Sequence, residues 1–410
     1  MMISRRSLIG SAAFAATLPR IAARAAAPVI KLGVLTDMSG PYSTDTGEGS
    51  VACTKQAANE FMAEQPGFAV EVVSADHQNK PDVGATIARQ WFDRDGVDAI
   101  VDVPTSSVAL AVNTVVREKN KVFLNSGAGT PDLTGSQCSP NTVHWSYDTY
   151  MLGRSTGGAL VKTGGTTWYF ITADYVFGHD LQNSTTEFIL AGGGKVLGSS
   201  AYPFPATTDF SSFLVRAKAS GAKVIGLANA GVDTQNCVKQ AHEFDILSGG
   251  TRLAALLMLI ADVHALTLET AQGLVLTESF YWNLNDGTRA FTKSVLPKMP
   301  NQIRPNMIQA GCYSATLHYL KAVQKLGVTA AKASGRAAVA QMKNMPVQDD
   351  AFGKTTLRAD GRNLVPAYLF QVKTPAESKG PWDYYNLVAT TPGAEAAPPL
   401  ASEHCSLIKP

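Results

Sequence analysis

The chain has 410 residues, 45% hydrophobic and 17% charged, with 35 glycines and 21 prolines, a globular composition with room for two or three domains of about 150 residues. Lys+Arg 35 against Asp+Glu 33 gives a formal charge of +2, without the basic excess that phosphate contacts require, so no nucleic-acid partner is expected. Beyond the N-terminal segment no apolar run approaches the roughly 18–20 residues of a membrane span.

The chain opens with Arg5 and Arg6 after Ser4, an apolar stretch over 8–18, and small residues around Ala23 and Ala25. That order of charged, apolar and small residues marks a secretory signal, and the paired arginines resemble the twin-arginine export signal. The plainer reading is an amphipathic helix. Pro19 and the lack of any carboxylate before Asp37 count against it. Residues 1–27 are therefore expected to be an address, and the remainder a periplasmic protein. Cleavage would remove four of the 35 basic residues and none of the 33 acidic ones, a formal −2.

From Val29 onward strands and helices alternate. Strands are expected at 30–36, 68–75, 98–103 and 122–125, with helices at 48–63, 81–93 and 106–118 between them. A stretch rich in Gly, Pro, Ser and Thr, 126–142, interrupts the rhythm. The alternation resumes with helices at 151–162, 181–190, 210–219 and 234–244 and strands at 166–171, 195–202 and 223–227. A further unit has a strand at 253–257, a helix from 262, and a strand at 273–282. Residues 303–326 carry Met307, Ala310, Tyr313, Leu317, Leu320 and Val323 on one helical stripe. Near the end, 355–357, a turn at 360–362, 367–372 and 384–389 read as antiparallel strands.

Two βα series predict an α/β fold of two Rossmann-like lobes joined by a multi-stranded hinge, with ligand-facing loops at the carboxyl ends of the strands. Crossings are expected near 145–148, 277–282 and 349–354. Lobe 1 is then 28–147 plus 278–350, lobe 2 is 148–277 plus 351–390, and 391–410 forms a tail.

A search for chemistry finds little. The seven histidines show no H-x-H or H-E-x-x-H spacing, and the five cysteines no C-x-x-C, so neither a metal nor a cofactor is expected. No phosphate loop or G-x-S-x-G elbow occurs. Cys237 and Cys312 sit in apolar helical patterns and read as packed thiols. Cys138 and Cys405, in loop and tail segments, are the first choice for a disulfide that pins the tail.

The strand ends say more. Pro104-Thr105-Ser106-Ser107 follows a strand and opens a helix, where hydroxyls and free N–H groups can hold a carboxylate or simply cap the helix. Ser126, Gly127 and Ala128 are small enough for a ligand to approach the backbone. Tyr175 and Phe177, and the turn leading to Asp233, occupy equivalent places in the second series, where the aromatic rings could cover an apolar ligand.

Together with Lys31-Leu32-Gly33-Val34-Leu35-Thr36-Asp37-Met38-Ser39-Gly40-Pro41-Tyr42, Gly49-Ser50, Thr142-Val143-His144-Trp145, the 174–178 turn and Gly273-Leu274, these segments resemble the type I periplasmic solute-binding proteins of ABC importers, in the Leu/Ile/Val-binding branch. The resemblance covers nearly all of 28–410. It implies a monomeric receptor that hands a small carboxylate-bearing solute to a membrane permease. It further implies that Ser106, Ser107 and the 126–130 loop hold the ligand carboxylate, that Tyr175 closes over the ligand, that Tyr42 is among the ligand-binding residues, and that Asp233 or Asp262 meets a ligand ammonium. The aromatic segment Phe280-Tyr281-Trp282, with Trp145 and Tyr147, resembles members that take aromatic carboxylates and reads equally as hinge packing. A secreted α/β enzyme with an unrecognised site and a sensory ligand-binding module are the rival readings.

Overall fold

The computed structural model describes residues 28–65, 67–402 and 404–408; the expected export signal, 1–27, lies outside them. The chain begins with β1 (Val29–Thr36), α1 (Gly47–Glu64), β2 (Ala69–Asp76), α2 (Pro81–Gln90), β3 (Ala99–Asp102), α3 (Ser106–Lys119), β4 (Val122–Asn125) and β5 (Thr142–His144). The five strands are parallel, in the order β2-β1-β3-β4-β5. Such a sheet needs apolar residues on both faces, and the strands supply them alternately. Leu32, Val34, Ala99 and Val101 join one core with Phe61 and Met307, while Leu35 and Ile100 join another with Trp91, Val108 and Val112. β1 and β3 are neighbours whose connections leave in opposite directions, so the loops after them flank a crevice.

The chain crosses at 145–148 and builds α4 (Thr149–Leu152), α5 (Gly158–Lys162), β6 (Thr167–Ala173), α6 (Val176–Ala191), β7 (Lys195–Tyr202), α7 (Ser211–Ala219), β8 (Val224–Ala228), α8 (Val232–Glu243), β9 (Arg252–Ala255) and α9 (Ile260–Ala271). Its sheet is parallel, ordered β7-β6-β8-β9, with the same kind of crevice between β6 and β8. The fold is thus two α/β lobes, as the alternation predicts.

The last part of the chain comprises β10 (Val275–Glu278), α10 (Asp286–Val295), α11 (Met307–Leu326), α12 (Val328–Ala333), α13 (Gly335–Lys343), the hairpin β11 (Val347–Asp349) and β12 (Gly353–Thr355), then β13 (Ala367–Val372), β14 (Tyr385–Thr391) and α14 (Gly393–Ala396). β10, β13 and β14 form an antiparallel sheet, while α10 and α11 pack on α1 of the first lobe.

Three expectations change here. The strand expected over 273–282 covers only Val275–Glu278; Ser279 onward leaves the sheet and carries the chain across. The helix expected over 303–326 begins at Met307, because Asn306 caps it by accepting from Ile308 N (2.9 Å) and Gln309 N (3.1 Å). The third crossing, expected at 349–354, comes later. Residues 347–355 form a hairpin whose Asp349 accepts from Ser314 Oγ on α11 (2.6 Å), and Arg362 bridges to His144 on the edge strand of the first sheet. Arg362 Nε also lies 3.3 Å from Asp148 Oδ2, both side chains fully buried. Segment 351–363 therefore lies along the first lobe.

Cys138 and Cys405 are disulfide-bonded; Cys53, Cys237 and Cys312 are free and buried. The bond closes a chain loop of 267 residues in sequence. Replacing both cysteines by serine is expected to lower the unfolding free energy by about 2–4 kcal/mol, chiefly by freeing the unfolded chain. Urea titration of the double variant against the oxidised parent measures this, and equal midpoints would show that the tail is held by packing alone. Among the described residues no helix is long and apolar enough to cross a membrane, and no group of three or more His, Cys, Asp or Glu could hold a metal.

Candidate ligand-binding cleft

The loop after β1 is held by a buried carboxylate. Asp37 Oδ1 accepts from Gly40 N (2.6 Å), and Oδ2 accepts from Tyr42 N (2.9 Å) and Asn79 Nδ2 (3.0 Å). Thr105 in turn donates to Asn79 Oδ1. The loops after β1, β2 and β3 are thus laced together, and Tyr42 is presented at the lobe edge. Across the crevice, Tyr175 stands immediately before α6. The turn there needs Gly178, since a Cβ at that position would lie 2.0 Å from Ala173 O.

The lobes meet in a clasp. Tyr42 Oη and Tyr175 Oη are hydrogen-bonded at 2.6 Å, and Phe204 stacks on both rings, at 4.4 Å from Tyr175 and 5.5 Å from Tyr42. Val232 N donates to Pro41 O (3.2 Å). Gly231 permits this approach, because its φ is +59° and a Cβ would sit 2.4 Å from Pro41 O. The conformation is closed.

Beneath the clasp is a small cavity, partly continuous with solvent. The first lobe lines it with Tyr42, Asp45, Thr46, Pro104, Gly127 and Ile308, and the second with Tyr175, Phe177, Ala230, Gly231, Leu257, Leu259 and Asp262; Tyr147 lines it from the crossing. Tyr147 donates to Gly127 O (2.7 Å). The walls are thus largely aromatic and aliphatic, with a few polar groups, as in small-molecule sites generally.

Those polar groups include two buried carboxylates. Asp262 Oδ1 accepts from Gln235 Nε2 (2.7 Å) and Oδ2 from Leu259 N (2.8 Å), the latter capping α9. Burial pushes Asp262 up to about 6 despite these bonds. Asp45 is 4% exposed, and its Oδ1 has no hydrogen-bond partner. Burial raises its pKa well above the usual carboxylate range, and the charges of Asp262 and Glu278 raise it further. Glu278, at the end of β10, accepts from Met307 N (3.2 Å) and Tyr385 Oη (3.1 Å); burial pushes it up to about 8.

A family model described as periplasmic binding protein matches residues 29–381. The chain belongs to this family. A solved periplasmic binding protein from Burkholderia mallei is 46% identical to it with a TM-score of 0.88, over 93% of this chain and 99% of that one. A branched-chain amino acid ABC transporter periplasmic ligand-binding protein from Burkholderia xenovorans is 38% identical with a TM-score of 0.80, over 92% and 99%. The Leu/Ile/Val-binding protein homolog 6 of Brucella melitensis is 26% identical over 75% of this chain and 78% of its own length.

Of the residues expected to face ligand in this periplasmic binding protein, the fold brings Tyr42, Gly127, Tyr175, Phe177 and Asp262 to the cavity. The others stand elsewhere. Ser126 Oγ donates to Ile308 O (2.7 Å) and bonds Ser146 Oγ (2.8 Å), so its hydroxyl is engaged within the protein. Ala128 is tied to Asn125 through both its N–H and its carbonyl. Thr105 is held by Asn79. Ser106 is fully buried in the first turn of α3 with its hydroxyl unpartnered, and Ser107 is half-buried one residue on; neither lines the cavity. Asp233 does not line the cavity; it accepts from Tyr202 Oη (2.7 Å), and burial pushes it up to about 6.

The aromatic segment is hinge packing. Phe280 is fully buried against Phe291 and Phe352, and Tyr281 and Trp282 both donate to Trp382 O (3.2 and 2.8 Å). Trp145 donates to Ser314 Oγ (2.9 Å) in the first-lobe core. Sequence reasoning missed Asp45, Thr46, Leu257, Leu259 and Ile308. Asp45 and Thr46 lie on the loop after β1, where the strand-end rule applied to the other turns would also have pointed.

Proposed function

We propose that this chain is the solute-capturing receptor of an ABC importer. It takes a small amphipathic molecule between its lobes, closes by hinge motion and delivers it unchanged, as a monomer, to a membrane permease. The observation that carries this reading is the cavity whose lining comes from both lobes, beneath contacts that exist only when the lobes meet. A ligand held by both walls binds the closed form preferentially and shifts the population toward it. The family membership and the Burkholderia xenovorans likeness favour an amino acid as ligand, and nothing in the cavity lining calls for bond-breaking chemistry. The expected twin-arginine route to the periplasm belongs to this proposal.

A thermal-shift screen of leucine, phenylalanine, benzoate and hydroxycinnamates tests the reading. At about 100-fold excess over Kd, a true ligand stabilises by about 2.7 kcal/mol, several degrees in Tm. The ligand should be recovered chemically intact from the complex. A flat response across the panel would remove these ligand classes, and steady conversion of any compound would remove the receptor.

A further inference from the structure

The tail returns to the lobe where the chain began. β13 and β14 pack with the second lobe, since Phe370, Val372 and Tyr385 share a core with Ile225, Leu227 and Val263. Beyond Thr391, the last residue of β14, the chain leaves that lobe. Glu395 still reaches Arg154 of the second lobe, at 3.6 Å. Three residues on, Pro398 O accepts from Arg358 Nη1 (2.7 Å), on the segment that lies along the first lobe. Cys405 is then bonded to Cys138, in the stretch between β4 and β5 of the first lobe. Residues 392–398 are thus a fourth passage between the lobes, after those that begin at 145, 279 and 364.

This passage is packed against its neighbour. A Cβ on Gly393 would lie 2.2 Å from Leu364 O on the third passage, and the turn at α14 leaves Ala396 1% and Ala397 3% exposed. Its reach is finite as well. At about 3.5 Å per residue, 392–398 spans about 25 Å only when fully extended. Extending it unwinds α14 and uncovers both alanines, which costs free energy. The bond that closes the tie joins residues 267 apart in sequence, so the elements of the second lobe lie inside one covalent loop whose two ends meet on the first.

We infer that the Cys138–Cys405 bond makes the tail a strap that limits how far the lobes open. The inference takes its hinge motion from the receptor reading and rests on it. With the strap in place the empty protein samples a narrower range of openings, and less conformational freedom is lost when a ligand closes the lobes. Slackening the strap should therefore widen the ligand-free protein.

Small-angle scattering of the ligand-free protein tests this with two variants. Replacing Cys138 and Cys405 by serine removes the bond. Inserting about ten Gly/Ser residues between Thr391 and Pro392 keeps the bond and lengthens the passage. The same insertion between Gly249 and Gly250, both exposed in the second lobe, controls for added mass. The serine variant should exceed wild type, and the tail insertion its control, by about 1 Å in radius of gyration, against roughly 21 Å for a compact chain of this size. Equal radii would overturn the strap, whatever the ligand panel shows. Expansion of the serine variant alone would make the bond a staple of the first lobe, and expansion on insertion alone would leave the tail held by packing; either result overturns the covalent limit. A silent ligand panel with both variants expanded would instead count against the proposed ligand classes and leave the strap standing.

Discussion

Tyr175→Ala is expected to weaken ligand binding by about 30–150-fold while leaving the Tm of the ligand-free protein nearly unchanged. The asymmetry follows from what Tyr175 touches. Its hydroxyl bonds Tyr42 across the lobe boundary, its ring stacks on Phe204 at 4.4 Å, and it lines the cavity. An interlobe hydrogen bond is worth about 0.5–1.5 kcal/mol, and a stacked aromatic pair a similar amount beyond its buried area. Together with lost ligand contact this comes to roughly 2–3 kcal/mol. Most of it belongs to the closed form, so removing it lowers the closed population and apparent affinity falls in proportion. Tyr175→Phe keeps the ring and should lose only about fivefold. Calorimetry on both variants reads the difference; equal losses would assign the effect to the hydroxyl, and no loss in either would remove the clasp.

How much of this was legible beforehand depends on the range of the interactions. The two βα series follow from short apolar strands bounded by turn residues, a local signal, and the strand-end rule reached Tyr175 without knowledge of how the lobes meet, whereas Tyr42 and Asp262 came only from the resemblance to the solute-binding family. Phe204 also follows a strand end, beyond β7, and the same rule covers it. Ser126 shows where that reasoning stops. A small polar residue in a strand-end turn looks like a ligand contact, yet its hydroxyl turns to Ile308 O and Ser146 Oγ, partners 182 and 20 residues away. The third crossing failed for a similar reason: a hairpin ordinarily closes an edge locally, whereas here the chain after it runs on beside β5 through Arg362 and His144. Asp45 is the subtler case. No local pattern distinguishes it from the other acids, and its importance comes from facing Asp262 and Glu278, which only the tertiary fold brings near.

Glu278 gives these carboxylates a consequence for stability. Its pKa lies at about 8 in the folded protein against 4.5 for the free side chain, raised first by burial and also by the charge of Asp262. The unfolded state therefore releases this proton at lower pH than the native state does. Stability falls as pH rises above about 4.5, and the loss is complete once pH passes the folded value. At about 1.4 kcal/mol per pH unit, the whole loss is roughly 3–5 kcal/mol. Other buried groups act in different windows. Asp102, Asp180, Asp233 and Asp262, at about 6, lose their part by then. His77, held at about 4 by burial, acts with the opposite sign, as do His144 and His318, whose neutral forms burial also favours; all three gains end near 6.5. Of these groups only Glu278 still titrates across the interval from about pH 6.5 to 8. Glu278→Gln preserves an acceptor for Met307 N and a hydrogen-bonding partner for Tyr385 while removing the titration. Urea unfolding should show wild type losing about 2 kcal/mol across that interval and the variant much less. Parallel slopes would mean that Glu278 is already ionised in the folded protein, and the buried charge cluster at the hinge would then have to be neutralised by another group.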